Sequence, residues 1–307
     1  MDLDISKDKY LYGEPMCPCP DCNYDIWYYP YKLGPVTEFT RSYLNNKQVT
    51  FLTNADCNIN CAHCFCPAAF PGRPNKFISE EIVNKTFEII GDTKVVVSIL
   101  GGEVMLYPEG CKMIADKAHE KGHSFRLITN GYFGNDQKMI NYLINEIKPE
   151  MVTISVDKYH QEFIDIEIIK NLIKELYGKT EIIIEHCIDI QEEGFNFDRT
   201  TPMLELERTL GLEKKKIFYL IDKIKKDGNA RDNNLGYEKL KCQNGHCSSC
   251  GIVVTFEGRI SIKCEFNSRP IHEDCKKWTK NILTDDYDFK ALRRFLKTKR
   301  WWVTFSA

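Results

Sequence analysis

Three cysteines in eight residues, Cys57, Cys61 and Cys64, carry the strongest chemical signal in the sequence. Their C-x3-C-x2-C spacing lets three thiolates wrap a [4Fe–4S] cube, which needs four ligands. One iron is then left without a protein ligand, open to the amine and carboxylate of an amino-acid cofactor. A zinc site completed by His63 or Cys66 is the alternative, although zinc sites more often pair two C-x2-C arms. The other cysteines are also grouped: Cys17, Cys19 and Cys22 early in the chain, then Cys242, Cys247, Cys250, Cys264 and Cys275, with Cys111 and Cys187 apart. The opening stretch MDLDISKDKYLYGE is charged and has no apolar core, so it does not read as a signal peptide. A cytoplasmic location is expected, and there grouped cysteines argue for metal or cluster ligation over disulfides.

Short runs rich in Val, Ile and Phe must position these residues. Strands are expected at Val49–Thr53, Lys94–Leu100, Ser124–Thr129, Met151–Val156, Glu181–His186 and Lys216–Ile221. Helices are expected between them at Ser79–Ile90, Gly110–Lys121, Asp136–Ile147, Asp165–Leu176 and Met203–Leu210. Six such alternations predict an α/β fold with a parallel sheet, either a partial barrel or an open doubly wound sheet. Cys57 follows the first strand, at the carboxyl end where such sheets carry their reacting groups. Gly101-Gly102-Glu103 closes the second strand; two glycines permit close backbone approach to a ligand, and the carboxylate is an acceptor. Thr129-Asn130-Gly131, Ser155-Val156-Asp157 and Glu185-His186 close the next three. Lys158, Tyr159 and His160 then stand at the cavity mouth or on a surface loop. Residues 1–45 read as irregular, and Asp227–Asn234 as a loop by composition.

Over about residues 48–230, these motifs resemble the radical S-adenosylmethionine superfamily. The resemblance implies a partial (β/α)6 TIM-like barrel at 48–234, between an N-terminal Cys/Tyr-rich extension at 1–47 and a small cysteine-rich iron–sulfur module at 235–307. It implies that Cys57, Cys61 and Cys64 hold a [4Fe–4S] cluster that binds S-adenosylmethionine and cleaves it reductively to a 5′-deoxyadenosyl radical. It sets His63 beside the adenine and Gly101, Gly102 and Glu103 at the methionyl ammonium. It sets Thr129, Asn130, Ser155 and Asp157 at the ribose and methionyl carboxylate, and Glu185 near the adenine. Helix capping or turn formation would use the same small polar groups. An external reductant such as flavodoxin or ferredoxin is an implied partner.

Asn229-Ala230 resembles the Gly-Arg-Ala segment that closes the core in members with a C-terminal cluster module, with Asn in place of Arg. Cys250, a hairpin at Ile252–Phe256 and Arg259–Lys263, and Cys264 resemble the opening of a SPASM or twitch module. Such modules hold auxiliary [4Fe–4S] clusters. Cys242, Cys247 and Cys275 supply further thiolates for one such cube, and a zinc ribbon on Cys247, Cys250, Cys264 and Cys275 is the alternative. A further helix is expected at Asp285–Lys299. Cys17, Cys19 and Cys22 would ligate another cluster, complete the auxiliary one or bind zinc, with non-ligand cysteines as the alternative.

A formal net charge of −2, from 42 basic and 44 acidic residues, argues against a phosphate-neutralising stripe and so against nucleic acid. No apolar run of about 18 residues suggests a membrane span. The resemblance implies an oxidoreductase that removes hydrogen from a substrate C–H bond for oxidative modification, a cross-link or a dehydrogenation, in a ribosomal peptide or a small molecule. A redox-neutral epimerase, with Cys187 returning hydrogen, is the second reading. A non-enzymatic iron–sulfur or zinc protein is the third, and it leaves Gly101-Gly102-Glu103 at a strand end unexplained.

Overall fold

The computed structural model describes residues 27–29, 48–65, 76–189, 217–224, 228–236, 251–263 and 280–284, with a few positions between 191 and 296. Cys17, Cys19, Cys22, Cys66, Cys242, Cys247, Cys250, Cys264 and Cys275, and nearly all of the helix expected at Asp285–Lys299, lie outside the described residues.

Six parallel strands form the centre: β2 (Gln48–Leu52), β3 (Val96–Leu100), β4 (Ser124–Thr129), β5 (Met151–Ser155), β6 (Glu181–Ile188) and β7 (Phe218–Lys223). They lie side by side in sequence order, as crossover helices on an α/β sheet dictate. The architecture is that of a partial TIM-like barrel. At one edge β1 (Trp27–Tyr29) pairs antiparallel with β7, inside a stretch the sequence presents as irregular. At the other, β8 (Gly251–Thr255) runs parallel to β2 and turns back into β9 (Arg259–Lys263), with β10 (Lys280–Asn281) beyond. The expected hairpin therefore forms as a continuation of the main sheet.

Side-chain alternation explains why this sheet has two unlike faces. Val49, Phe51, Val97, Ile99, Phe125, Leu127, Val152 and Ile154 point one way and are fully buried. Phe51 meets Phe87 of α1 (Glu80–Ile90), so this face takes the helices. The opposite face carries buried polar groups, Gln48, Thr50, Ser98, Arg126 and Thr153, and Arg126 Nε donates to Thr153 Oγ1 at 2.8 Å. An apolar strand pattern with a polar second face suits a barrel whose interior holds a polar ligand.

The helices fall where apolar spacing places them. Ser79 caps α1, its hydroxyl accepting from Ile82 N. After α2 (Pro108–Glu120), the helix expected over Asp136–Ile147 divides into α3 (Gln137–Tyr142) and a π-helical turn, Leu143–Ile147, closed by Lys148 N to Leu143 O at 2.9 Å just before Pro149. Between β5 and α5 (Ile166–Leu176) lies α4 (Lys158–Gln161), a single turn. Residues 229–232, inside the stretch read as loop, form the short helix α6 (Asn229–Asp232). It is tied down by hydrogen bonds that Asn229 donates to the cysteine loop, which composition alone does not reveal. Among the described residues, no helix is long and apolar enough to cross a membrane.

Candidate active site

The cysteine loop leaves β2 and is bound at once to the end of β3. Thr53 N donates to Leu100 O at 2.8 Å, Gly102 N to Asn54 O at 3.1 Å and Glu103 N to Asp56 O at 2.7 Å. The buried Asn54 side chain adds Nδ2 to Asp56 O at 2.9 Å and to Glu103 O at 3.2 Å. The two glycines are required by this contact: a Cβ on Gly102 would lie 1.7 Å from Asp56 O, and one on Gly101 2.4 Å from Asn54 Oδ1. The close approach expected of these glycines is thus made to the cysteine loop's own backbone.

Glu103 then joins this turn to β4. Its carboxylate is fully buried and accepts from Thr129 Oγ1 (2.7 Å), Met105 N (2.9 Å) and Asn130 N (2.8 Å). Burial raises its pKa; the hydrogen bonds act the other way. Asn130 Nδ2 reaches Asn58 Oδ1 at 2.9 Å and Cys57 Sγ at 3.8 Å. Thr129 and Asn130 therefore lie at the strand ends as expected, bonded to Glu103 and the cysteine loop.

The far side of the loop is held by α6. Asn229 N donates to Cys64 O at 2.9 Å, and Asn229 Nδ2 to Asn60 Oδ1 and Cys61 O, both at 3.0 Å. Asn233 Nδ2 donates to Ala62 O at 3.1 Å. Gly228, at φ +54°, passes so near the loop that a Cβ would lie 2.5 Å from Cys64 O. This grip is the part of the site that sequence reasoning missed; the Asn229-Ala230 segment was its only signal.

His63 is carried over to β5. It stacks on Tyr159 (4.6 Å between ring centres, 25°) and meets His160 edge-on at 5.0 Å. Asp157, fully buried, caps α4 through Oδ1, which accepts from Tyr159 N and His160 N. Its Oδ2 faces His160 Nδ1 at 2.9 Å and His63 Nε2 at 3.4 Å. These are ion-pair distances without hydrogen-bond alignment. Burial works against the Asp157 carboxylate, yet the two imidazoles hold it well below the usual carboxylate range. Burial likewise opposes a charged His160, and the Asp157 carboxylate overrides it, raising His160 to about 10. Half-buried Ser155 ends β5, whereas its half-buried register partner Glu185 lies within β6, which runs on to Ile188 past the end expected at His186. Half-buried Cys187, two residues past Glu185, brings its sulfur near Asp157 and His63, the three ligand atoms lying within 4.8 Å of one another. Cys111 is buried on α2 and donates to Val104 O, a packing role.

Residues 52–209 match the Radical SAM superfamily, more than half of the chain. The chain belongs to the radical SAM superfamily. A protein of Bacillus subtilis (strain 168), YydG, provisionally named a peptide biosynthesis protein, is 25% identical over 262 residues, covering 78% of this chain and 79% of its own. The solved structure of anSMEcpe with bound AdoMet superposes with a TM-score of 0.53 at 14% identity, covering 82% of this chain and 77% of that one. Native anSMEcpe with bound AdoMet and Cp18Cys peptide gives 0.52 at 14%, covering 82% and 80%. At that identity, the two structures show the fold alone.

A radical SAM enzyme takes a [4Fe–4S] cluster and S-adenosylmethionine, and the donor set fits a cluster. Cys61 is buried and Cys57 and Cys64 are half-buried, none of them in a disulfide. Burial, with lesser contributions from Glu103 and Cys61, pushes the Cys57 thiol up to about 12 against two backbone N–H groups. Such a sulfur ionises only when a cation takes the proton's place. The Asn130 amide lies beside it as a donor to the resulting thiolate.

Proposed function

We propose that this chain modifies a peptide by radical chemistry, with Cys57, Cys61 and Cys64 as the ligands of the cluster that binds S-adenosylmethionine. When bound, the cluster and S-adenosylmethionine together supply a 5′-deoxyadenosyl radical able to take hydrogen from carbon. The observation that carries this reading is the cysteine loop hydrogen-bonded to Gly102 and Glu103 at the carboxyl ends of parallel strands. The chain's residues position the reagents: the backbone of Gly101–Glu103, with Thr129, Asn130 and Ser155, lines the methionyl and ribose end, and His63 and Glu185 line the adenine side. Asp157 acts one step back, by holding His63. A peptide substrate is supported by YydG, which aligns over most of both chains.

Two fates are open to the substrate radical. Oxidation to a cross-link or double bond passes one further electron to an acceptor, for which an auxiliary cluster on cysteines among Cys242, Cys247, Cys250, Cys264 and Cys275 is our candidate. The second, epimerisation, is favoured by the position of Cys187 near Asp157 and His63. There the thiol S–H bond breaks, its hydrogen atom joins the substrate carbon, and the thiyl left behind regains an electron and a proton from the external reductant.

The test is an anaerobic assay of the cluster-loaded chain with S-adenosylmethionine, a reductant and peptides encoded beside its gene. The reading expects 5′-deoxyadenosine, lost in Cys61→Ala. None from a fully loaded chain, or undiminished product in Cys61→Ala, overturns it. In deuterated water, one solvent deuterium in a product of unchanged mass otherwise selects epimerisation; a product two hydrogens lighter selects oxidation.

A further inference from the structure

At the end of β5, His63 and Asp157 carry buried polar atoms that make no aligned hydrogen bond among the described residues. Among the described residues, His63 Nδ1 has no hydrogen-bond partner, although the side chain is only 9% exposed. Leaving such a nitrogen unpaired costs on the order of 1–3 kcal/mol, and an orphan of this kind in a polar cluster marks a place for an ordered water, an ion or a ligand group. One sulfur and two imidazoles converge there: ligand atoms of Cys61, His63 and His160 lie within 4.8 Å of one another. The far nitrogens of both imidazoles address a single oxygen, Asp157 Oδ2, at 3.4 Å from His63 Nε2 and 2.9 Å from His160 Nδ1. A carboxylate behind metal-bound imidazoles fixes their tautomers and raises their basicity in this way. It leaves His63 Nδ1 and His160 Nε2 as the donors on the Cys61 side.

We propose that Cys61, His63 and His160 form a mononuclear site for a divalent transition metal, which fills when the cluster is absent. One thiolate and two imidazoles are a borderline-soft set suited to zinc, with the fourth position left to water. Asp157 backs the site without ligating. Because Cys61 serves both, the single metal and the cluster exclude each other, and zinc acts as a brake on cluster assembly. Only this exclusion rests on the cluster assignment made above; the metal site stands on its own residues.

The test uses the full chain, free of cluster and metal, titrated with Co²⁺ as a spectroscopic probe and then with Zn²⁺ against a chelating dye. One metal per chain is expected, with the visible bands of a tetrahedral Co²⁺ site and charge transfer from a single thiolate. His160→Ala and His63→Ala should each weaken zinc by more than ~10-fold, whereas Cys57→Ala and Cys64→Ala should not. Charge transfer from three thiolates, loss of metal in Cys57→Ala or Cys64→Ala, or unaltered affinity in His160→Ala overturns the proposal. The Co²⁺ spectrum needs no variant, so a variant that misfolds does not remove the test. Zinc-loaded chain should refuse iron and sulfide until a chelator is added; uptake at an unchanged rate overturns the exclusion. Failure to form 5′-deoxyadenosine would count against the radical reading and leave the zinc titration untouched.

Discussion

At the ends of β3 and β4 a buried carboxylate is surrounded by neutral donors; at the end of β5 another is surrounded by imidazoles. Glu103 accepts from two backbone amides and the Thr129 hydroxyl, and its pKa is raised. Asp157 faces His63 and His160, and its pKa is lowered. The first half is satisfied by its own chain and behaves as scaffold. The second keeps, among the described residues, polar atoms at His63 and Asp157 without an aligned hydrogen bond, as a surface shaped to receive a further group. The same cysteine loop spans both, with Cys57 in the first half and His63 in the second.

If the first half is scaffold, the largest effect should come from forcing it apart. A Cβ on Gly102 would meet backbone, at 1.7 Å from Asp56 O, and backbone cannot rotate away. Gly102→Ala should therefore destabilise the cluster-free chain by about 3 kcal/mol, read as a fall in the urea midpoint, and should also lower iron loading. A variant with wild-type stability would mean the loop moves freely against β3, and the distinction between the halves would fail.

The second half should respond to pH at both ends of the range, and its carboxylate with the opposite sign to the carboxylate of the first. His160 rises from 6.5 to about 10, so its contribution is complete below pH 6.5 and is lost as pH climbs towards 10. Asp157 is depressed, so its contribution is present above the ordinary carboxylate range and is lost in acid. Glu103, raised by burial, instead favours the folded state more as pH falls. Asp157→Asn should cost ~3 kcal/mol near pH 6 and flatten the alkaline decline between 6.5 and 10. Denaturation across pH checks both; an alkaline limb that survives Asp157→Asn means the pair does not set it.

The comparison also explains what could be read in advance. The six parallel strands and the helices between them were legible because their apolar periods are strong, unlike the short β1 and α6, and Cys57, Cys61, Cys64 and Gly101-Gly102-Glu103 were legible because their spacing and strand-end positions are unusual. Pairing was not. Nothing local in the sequence says that Gly102 meets Asp56, since the contact crosses 46 positions and is decided by strand register. Nor does it say that Asp157 faces His63: capping of α4 is a local function, while Oδ2 is aimed by tertiary packing. The division of Asp136–Ile147 into α3 and a π turn was hidden for the same reason, because an added residue in a turn leaves apolar spacing nearly intact.

The smallest effects should come from α6, which holds the loop between the halves. Asn229 is buried, and its amide serves Asn60 Oδ1 and Cys61 O together. Asn229→Ala should cost ~1–2 kcal/mol, leaving the backbone bond from residue 229 to Cys64 O in place. Asn233 is exposed and shares its amide between Ala62 O and Asn229 O. Water replaces such a bond readily, so Asn233→Ala should cost ~0.5 kcal/mol. The discriminating measurement is iron loss to a chelator from the loaded chain. Because Asn229 fixes the carbonyl of Cys61 itself, its variant should release iron faster, while the Asn233 variant should match wild type. Equal rates in all three would mean that α6 steadies the fold without steadying the cysteines. Faster loss in Asn229→Ala alone would make it the bond that keeps the loop's scaffold half and histidine half in register.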